Sequence, residues 1–229
     1  MEIIMASSII QGGLKRGWLL EPEAKELCRS YGLPVGKWMV AATAKEAKEA
    51  STSLGFPVAA KIVSPDVMHK SDVGGVILNL KDGGEVEDAF QKIKAICDGG
   101  GYRFEGVLVE TMARPGVETI IGGKRDPQFG PVLLFGLGGI FVEVFKDVSF
   151  RVAPLDREDA MEMISELKSF PLLKGIRGRK PSDLDALIDS LLKASEMMVR
   201  EEQIKELDLN PTLAYEKGCL VVDARVVLV

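Results

Sequence analysis

The 229-residue chain has one histidine, His69. Without a second imidazole the usual histidine-based zinc trio is excluded, and neither a G-x-S-x-G elbow nor a Walker lysine loop is present. Gly136-Leu-Gly-Gly139 lacks the G-x-G-x-x-G spacing and the following βαβ unit, which excludes a dinucleotide fold and leaves tight backbone packing as its physical account. Cysteine is scarce: Cys28, Cys97 and Cys219 are an odd set without metal-type spacing. Each falls in an apolar pattern typical of buried reduced thiols, which points to a reducing cytoplasm. No broad positive field exists, since the net charge is −5, so nucleic acid and anionic lipid are not expected partners and any phosphate should meet a local basic pocket. Long apolar runs are missing too. Residues 131–142 are interrupted by Gly136, Gly138 and Gly139 and followed by Glu143, well short of a membrane span. The opening residues 1–13 have too short an apolar core and too little preceding positive charge for a signal peptide. A soluble cytoplasmic protein without internal repeats is expected.

What is there suffices for a proper core. Hydrophobic residues make up 46% of the chain, a size and content that suit one large domain or two small ones. Residues 1–17 show no sustained period and read as a mobile or partner-bound arm. Glu21-Pro22 opens a helix with an Ala24, Leu27, Cys28, Tyr31 stripe, ended by Gly32 and Pro34. A strand over 35–41 leads to a second helix at Thr43 and Glu46, a capping-box pattern. Two Val/Ile-rich runs, 57–63 and 74–80, read as strands around a long polar connection. Val86, Phe90, Ile93, Ile96 and Cys97 repeat at helical spacing until a glycine break at 99–101. A strand over 106–110 precedes an antiparallel set, 117–123 and 132–136, joined by turn-like residues 124–130. A short strand over 150–153, a helix capped by Asp156, a long helix from Pro181-Ser182 to about Arg200 and a β pair over 204–215 and 220–229 complete the chain. Helices and strands without regular βαβ alternation favour α+β.

Residues 55–80, GFPVAAKIVSPDVMHKSDVGGVILNL, carry the densest chemistry. Lys61 lies on the first strand; His69, Lys70 and the Gly74-Gly75 pair lie in the loop. A single loop histidine is most often a solvated side chain, and Lys61 alone reads equally as a snorkelling strand lysine. Together they resemble the phosphate-covering hairpin of ATP-grasp enzymes, where glycines let backbone N–H groups approach phosphate oxygens. The S-P-D-x-x-H-K-S-D-x-G-G-V form is narrower, and resembles the β subunit of the ADP-forming acetyl-CoA (acyl-CoA) synthetases, in which the loop histidine is phosphorylated.

The C-terminal ELDLNP is the next specific stretch. Asp208 and Asn210 are two apart on an expected strand and leave the same face, with Leu209 pointing inward. Asp223 sits on the next strand, so the three oxygen-bearing side chains can converge as hard ligands for Mg²⁺ on a nucleotide. The spacing alone suits strand-end polar residues and a surface aspartate equally well. Between Lys174 and Lys180, KGIRGRK reads as a solvated connection; the other reading is a contact with a partner or an anion.

The resemblance covers nearly the whole chain from about Gly17, and with DPxFGP and GLGGI its motifs are specific. It implies a two-lobe ATP-grasp fold with nucleotide between the lobes: an arm over 1–17, a first lobe over 18–109 with the phosphohistidine loop at 64–75, and a second lobe over 110–229 with the metal site. It implies His69 as the phosphorylated nucleophile and Lys61 on the phosphates. Gly74 and Gly75 would lie near the phosphates, the Met112 main chain at the adenine edge and Glu110 as an acid near the nucleotide. Glu118 would be a second acid near the nucleotide, and Asp208, Asn210 and Asp223 would ligate Mg²⁺. Position 208 has Asp where many relatives have Glu. Arg151 would reach the transferring phosphoryl group, or form a structural ion pair with Glu143 or Asp147. The implied reaction is acyl-CoA + ADP + phosphate giving acid + CoA + ATP, an acid–thiol ligase working with a CoA-binding α subunit, in an α2β2 assembly if the family pattern holds. Pro65 and Gly74 would hinge a swinging loop. The alternatives are an ATP-grasp carboxylate ligase subunit without phosphohistidine, and a non-catalytic nucleotide-binding regulatory module.

Overall fold

The computed structural model describes residues 2–139, 146–176, 178 and 180–229. In chain order the described elements are α1 (Glu2–Leu14), α2 (Glu21–Ser30), β1 (Trp38–Ala41), α3 (Ala44–Leu54), β2 (Val58–Val63), β3 (Val76–Leu80), α4 (Gly83–Gly100), β4 (Gly106–Thr111), β5 (Val117–Asp126), β6 (Gly130–Leu137), β7 (Val148–Val152), α5 (Arg157–Ser165), α6 (Phe170–Leu173), α7 (Leu184–Arg200), β8 (Ile204–Ala214), β9 (Cys219–Val221) and β10 (Ala224–Leu228). They form two compact units: Gly36–Arg114, and Met1–Val35 with Pro115–Val229.

The smaller unit is an antiparallel sheet of order β1-β4-β2-β3. Alternation sends Val58, Ala60, Ile62, Val107 and Val109 to one face, where Ala47 and Ala50 of α3 and Val86, Phe90 and Ile93 of α4 bury them. Small residues on α3 let that helix sit close to the sheet. Phe104 packs edge-on against Phe90, with ring centroids 5.5 Å apart. The two runs flanking the polar loop do pair, but β4 joins the other side of β2, so β2 is interior rather than half of an isolated hairpin. Thr43 caps α3 by accepting the Glu46 N–H, while the Glu46 carboxylate accepts the Ala42 N–H, one residue before the partner a capping box would use. Helix α4 runs through Gly99 and Gly100 and stops at Gly101, whose φ of 67° is left-handed.

The larger unit is an antiparallel sheet of order β10-β8-β5-β6-β7, with β9 on the end of β8. Its helices bury one face: Leu187, Leu191, Ala194 and Met198 of α7 and Met163 of α5 pack with Ile121, Leu133, Phe135 and Leu209. The β5–β6 hairpin is longer than the turn-like residues suggest, because Lys124, Arg125 and Asp126 pair with Val132, Pro131 and Gly130. The turn shrinks to residues 127–129, closed by Asp126, whose side chain accepts the Gln128 and Phe129 N–H groups.

Two expectations are corrected here. The first residues are not a loose arm: α1 buries Ala6 and Ile10 in the larger unit's core. Adjacent Ile9 and Ile10, set among serines and glycines, blur the stripe that would have announced it. Helix α2, placed by sequence in the first lobe, packs Ala24, Leu27 and Cys28 into the same core as Val226 and Leu228 of β10. The Leu19 N–H donates to the Val226 carbonyl at 2.9 Å, which fixes that attachment. Among the described residues, no helix is long and apolar enough to cross a membrane.

Candidate active site

His69 is exposed on the connection between β2 and β3. Both ends of that connection are held. On the N-terminal side Ser64, Pro65 and Val67 are buried, and the Ser64 hydroxyl accepts the Asp66 N–H at 3.2 Å. On the C-terminal side the Gly75 N–H donates to the Lys70 carbonyl at 2.8 Å and the Gly74 N–H to the Ser71 carbonyl at 3.1 Å. A Cβ on Gly75 would come within 2.5 Å of the Ile62 Cγ2, and Gly74 has a φ of 71°. In this arrangement both glycines close the loop rather than offer their amides to phosphate, as the hairpin resemblance had suggested.

Across β2 and β4, Lys61 Nζ and Glu110 Oε1 form an ion pair of 2.7 Å, both side chains buried. The register explains the meeting: Lys61 stands opposite Leu108 and Glu110 opposite Ala59, so the two are diagonal neighbours on the face turned away from α3 and α4. Two residues assigned by sequence to separate tasks are thus one unit. The Met112 N–H donates to the Pro57 carbonyl at 3.1 Å, which leaves its own carbonyl as the main-chain group to offer a ligand.

In the larger unit the acid-bearing strands meet as alternation requires. Arg225 lies opposite Asp208, and Ala224 opposite Leu209. The Asn210 N–H donates to the Asp223 carbonyl at 3.2 Å. Leu209 and Ala224 point into the core, so Asp208, Asn210, Asp223 and Arg225 share the open face. Asp208 accepts from Arg225 at 3.3 Å. Asp208 is also in register with Gly122, and Glu118, four residues back on β5, faces the same side and is exposed. Its carbonyl accepts the Gly138 N–H at 2.8 Å. A Cβ on Gly138 would stand 3.0 Å from the Glu118 Cβ, which is the tight backbone packing expected of GLGG. Among the described residues no three or more His, Cys, Asp or Glu side chains cluster as a metal cage. The donor set here is instead two carboxylates and an amide oxygen on a rigid β pair. Those are hard donors of the kind Mg²⁺ takes when phosphate and water complete its shell.

Arg151 does not join them. Asp208, Gly122, Leu134 and Phe150 succeed one another across the sheet on the open face, whereas Arg151 pairs with Leu133, a core residue. Its guanidinium lies on the helix side, 2.9 Å from Glu166 and 3.3 Å from Glu162 of α5. The phosphoryl-contact expectation is therefore replaced by a structural ion pair, with partners different from those anticipated. Glu143 lies outside the described residues, and Asp147 instead accepts the Lys168 and Ser169 N–H groups. Arg177 and Arg179 of the KGIRGRK loop also lie outside the described residues; its last lysine, Lys180, pairs with Glu216 at 2.9 Å.

Sequence reasoning overlooked Arg225, which a period-2 reading from Asp223 would have found, and the Asp66–Arg103 pair. The Arg103 Nη2 donates to Asp66 Oδ1 and its backbone N–H to Oδ2, each at 2.8 Å. No local pattern announces that contact, because it joins the His69 loop to the segment after α4.

Comparison with known proteins gives the family. The ATP-grasp domain family matches residues 12–228. The chain is 49% identical over 214 residues to the acetate–CoA ligase [ADP-forming] I subunit beta of Pyrococcus furiosus, covering 92% of this chain and 91% of that one. A chain of the Ca. Korarchaeum cryptofilum dinucleotide forming acetyl-coenzyme A synthetase 1, solved with coenzyme A and Ca-AMPCP, superposes with a TM-score of 0.94 at 50% identity, covering 97% of this chain and 99% of that one. Another structure of that enzyme, with coenzyme A and Mg-AMPPCP and its phosphohistidine segment pointing towards the nucleotide binding site, gives a TM-score of 0.87 at 48% identity, covering 98% and 100%. The smaller unit carries an exposed loop histidine and a buried lysine–glutamate pair, the C-terminal β pair an oxygen-rich face, and the match over residues 12–228 places this protein in the ATP-grasp family, among the β subunits of ADP-forming acyl-CoA synthetases.

Proposed function

We propose that the chain carries a phosphoryl group on His69 and exchanges it with ADP, as the nucleotide-binding subunit of an ADP-forming acyl-CoA synthetase. The observation behind this reading is the place of His69, exposed at a loop held at both ends, in a chain that matches such β subunits from end to end. A neutral imidazole nitrogen is a good nucleophile near pH 7 and needs no base. In the ATP-consuming direction its lone pair forms the N–P bond as the bond from the γ-phosphorus to the bridging oxygen breaks. ADP leaves with that electron pair, and the ring N–H proton passes to solvent. The reverse step returns the phosphoryl group to ADP.

The other expected residues position and neutralise. Lys61, oriented by Glu110, supplies a charge to the phosphates. The Met112 carbonyl is suited to accept from the adenine amine, and Glu118 lies near the nucleotide. Asp208, Asn210 and Asp223 would hold Mg²⁺, which supplies positive charge against the phosphate oxygens when bound. Arg225 adds a fixed cation on the same face. The acyl group and CoA belong to a separate α subunit, in an α2β2 assembly in the cytoplasm. The loop carries His69 between the two subunits' sites.

The test is a chase. Chain labelled from γ-labelled ATP and freed of nucleotide should return the label to added ADP as ATP, and Asp208→Asn should slow that return. Label that stays on the protein in the presence of MgADP would refute the reading.

A further inference from the structure

Asp66 has the shape of a release catch for the His69 loop. Arg103 grips it four ways: Nε to both carboxylate oxygens at 3.2 and 3.1 Å, Nη2 to Oδ1 at 2.8 Å, and the backbone N–H to Oδ2 at 2.8 Å. Arg103 itself sits on a short connection tied at both sides. The Tyr102 N–H donates to Cys97 of α4, and the Glu105 N–H to Val63 at the end of β2. Asp66 is thereby fastened to the rigid part of the smaller unit, and Val67 next to it is buried in that unit's core.

Chain geometry gives this fastening a consequence. With Val67 fixed, His69 is two residues away, and its Cα stays within about 7 Å of the Val67 Cα however the loop moves. If Asp66 and Val67 let go, the fixed point retreats to the buried Pro65, and the reach grows to about 14 Å. The other arm, from Gly75 back to His69, is closed by the Gly75–Lys70 and Gly74–Ser71 hydrogen bonds, which part in the same motion, so the fastening at Asp66 is one of the two that limit travel. We infer that the Asp66–Arg103 pair positions His69 by setting its reach: latched, the ring serves one place; unlatched, it serves a second, distant one. The strength of the pair suits a catch that opens in each cycle. Arg103 is 70% exposed and Asp66 33%, so water competes for both partners, and such a pair shifts an equilibrium by only a few-fold.

This inference deepens the phosphohistidine reading and rests on it for its functional half, though not for its structural half. The experiment uses the full chain as Arg103→Gln, Asp66→Asn and Arg103→Lys variants. Hydrogen exchange at Val67 and Met68 should quicken about three- to fivefold in the first two, with the lysine variant between them and wild type, and with α4 and β4 unchanged. Two rates are then compared: labelling of His69 from ATP by the chain alone, and passage of that label to the CoA-binding subunit. Their ratio should shift in the same direction in both Arg103→Gln and Asp66→Asn and return partway in Arg103→Lys, with KM for ADP unchanged. Exchange that stays at the wild-type rate, or a ratio that does not move, would overturn the latch. A wild-type chain that takes no label at all would refute the phosphohistidine reading instead, and the exchange result would then decide the latch by itself.

Discussion

At the scale of single residues, the buried Lys61–Glu110 pair makes the sharpest demand. Removing one member of a buried ion pair strands the other charge, which costs about 3–5 kcal/mol, whereas replacing both with apolar groups is often neutral. Glu110→Ala should therefore lower stability by about that amount in urea denaturation, and Lys61→Met with Glu110→Leu should recover most of it. Equal losses in the single and double variants would show that the pair is not what holds these strands together. Arg151 gives the opposite case. It stands between solvent and two glutamates, Glu162 on α5 and Glu166 at its C-cap, so Arg151→Gln should cost less than about 1 kcal/mol and leave labelling of His69 intact. A loss of labelling would restore it to the phosphoryl site. Residue type and spacing alone left His69, Lys61, Glu110 and the three oxygen donors open, and the family resemblance of their motifs singled them out. The pairing of Lys61 with Glu110 was not legible, because it needs the β2–β4 register, which no local pattern prints. Arg151 was misplaced because its alternation on β7 becomes readable only once Leu133 is known as its neighbour.

At the scale of elements, caps and amphipathic stripes were the readable signals. The long helix α7 is held at its start by Asp183, whose carboxylate accepts the Ala186 N–H at 3.1 Å and the Gly218 N–H at 2.8 Å, tying the helix to the β8–β9 turn. Those donors, Gly218 first, hold its pKa below the ordinary carboxylate value. A depressed folded-state pKa contributes stability that is complete above the unfolded value, about 3.9, and is lost as pH falls through the folded one. Asp183→Ala should cost about 1 kcal/mol near neutral pH. Asp183→Asn should keep much of the cap yet unfold in acid with a shallower pH dependence than wild type; an unchanged acid transition would count against this role. Helix α1 is the element that the sequence concealed. Its Ile10 is as buried as the central core, so Ile10→Ala should destabilise the chain by about 2–5 kcal/mol, where a loose arm would register nothing. The β5–β6 hairpin was seen but trimmed, because Lys124 and Arg125 look like turn residues until their partners across the strand are counted.

At the scale of the molecule, the α+β class and the ATP-grasp fold were legible in the order of elements and in a few specific motifs. The assignment of α2 to the larger unit was not, since it depends on contacts with β10 at the far end of the chain. The expected ligands are divided between the units: Lys61, His69, Glu110 and Met112 belong to the smaller, and Glu118, Asp208, Asn210 and Asp223 to the larger. MgADP should stabilise the chain by about 2.7 kcal/mol at a hundredfold excess over Kd. Asp208→Asn with Asp223→Asn should abolish the magnesium-dependent part; a melting shift indifferent to magnesium in wild type would contradict the proposed donors. Cys28, Cys97 and Cys219 are packed inside the protein. All three are buried and free, and burial pushes the Cys28 thiol up to about 12.

The most direct measurement is the intact mass of the chain after incubation with MgATP and removal of nucleotide. Wild type should gain one phosphoryl group that is lost in acid and kept in base, as a phosphoramidate is, and His69→Asn should gain nothing. A wild-type chain whose mass does not change, or a His69→Asn chain that still takes up the group, would contradict the account.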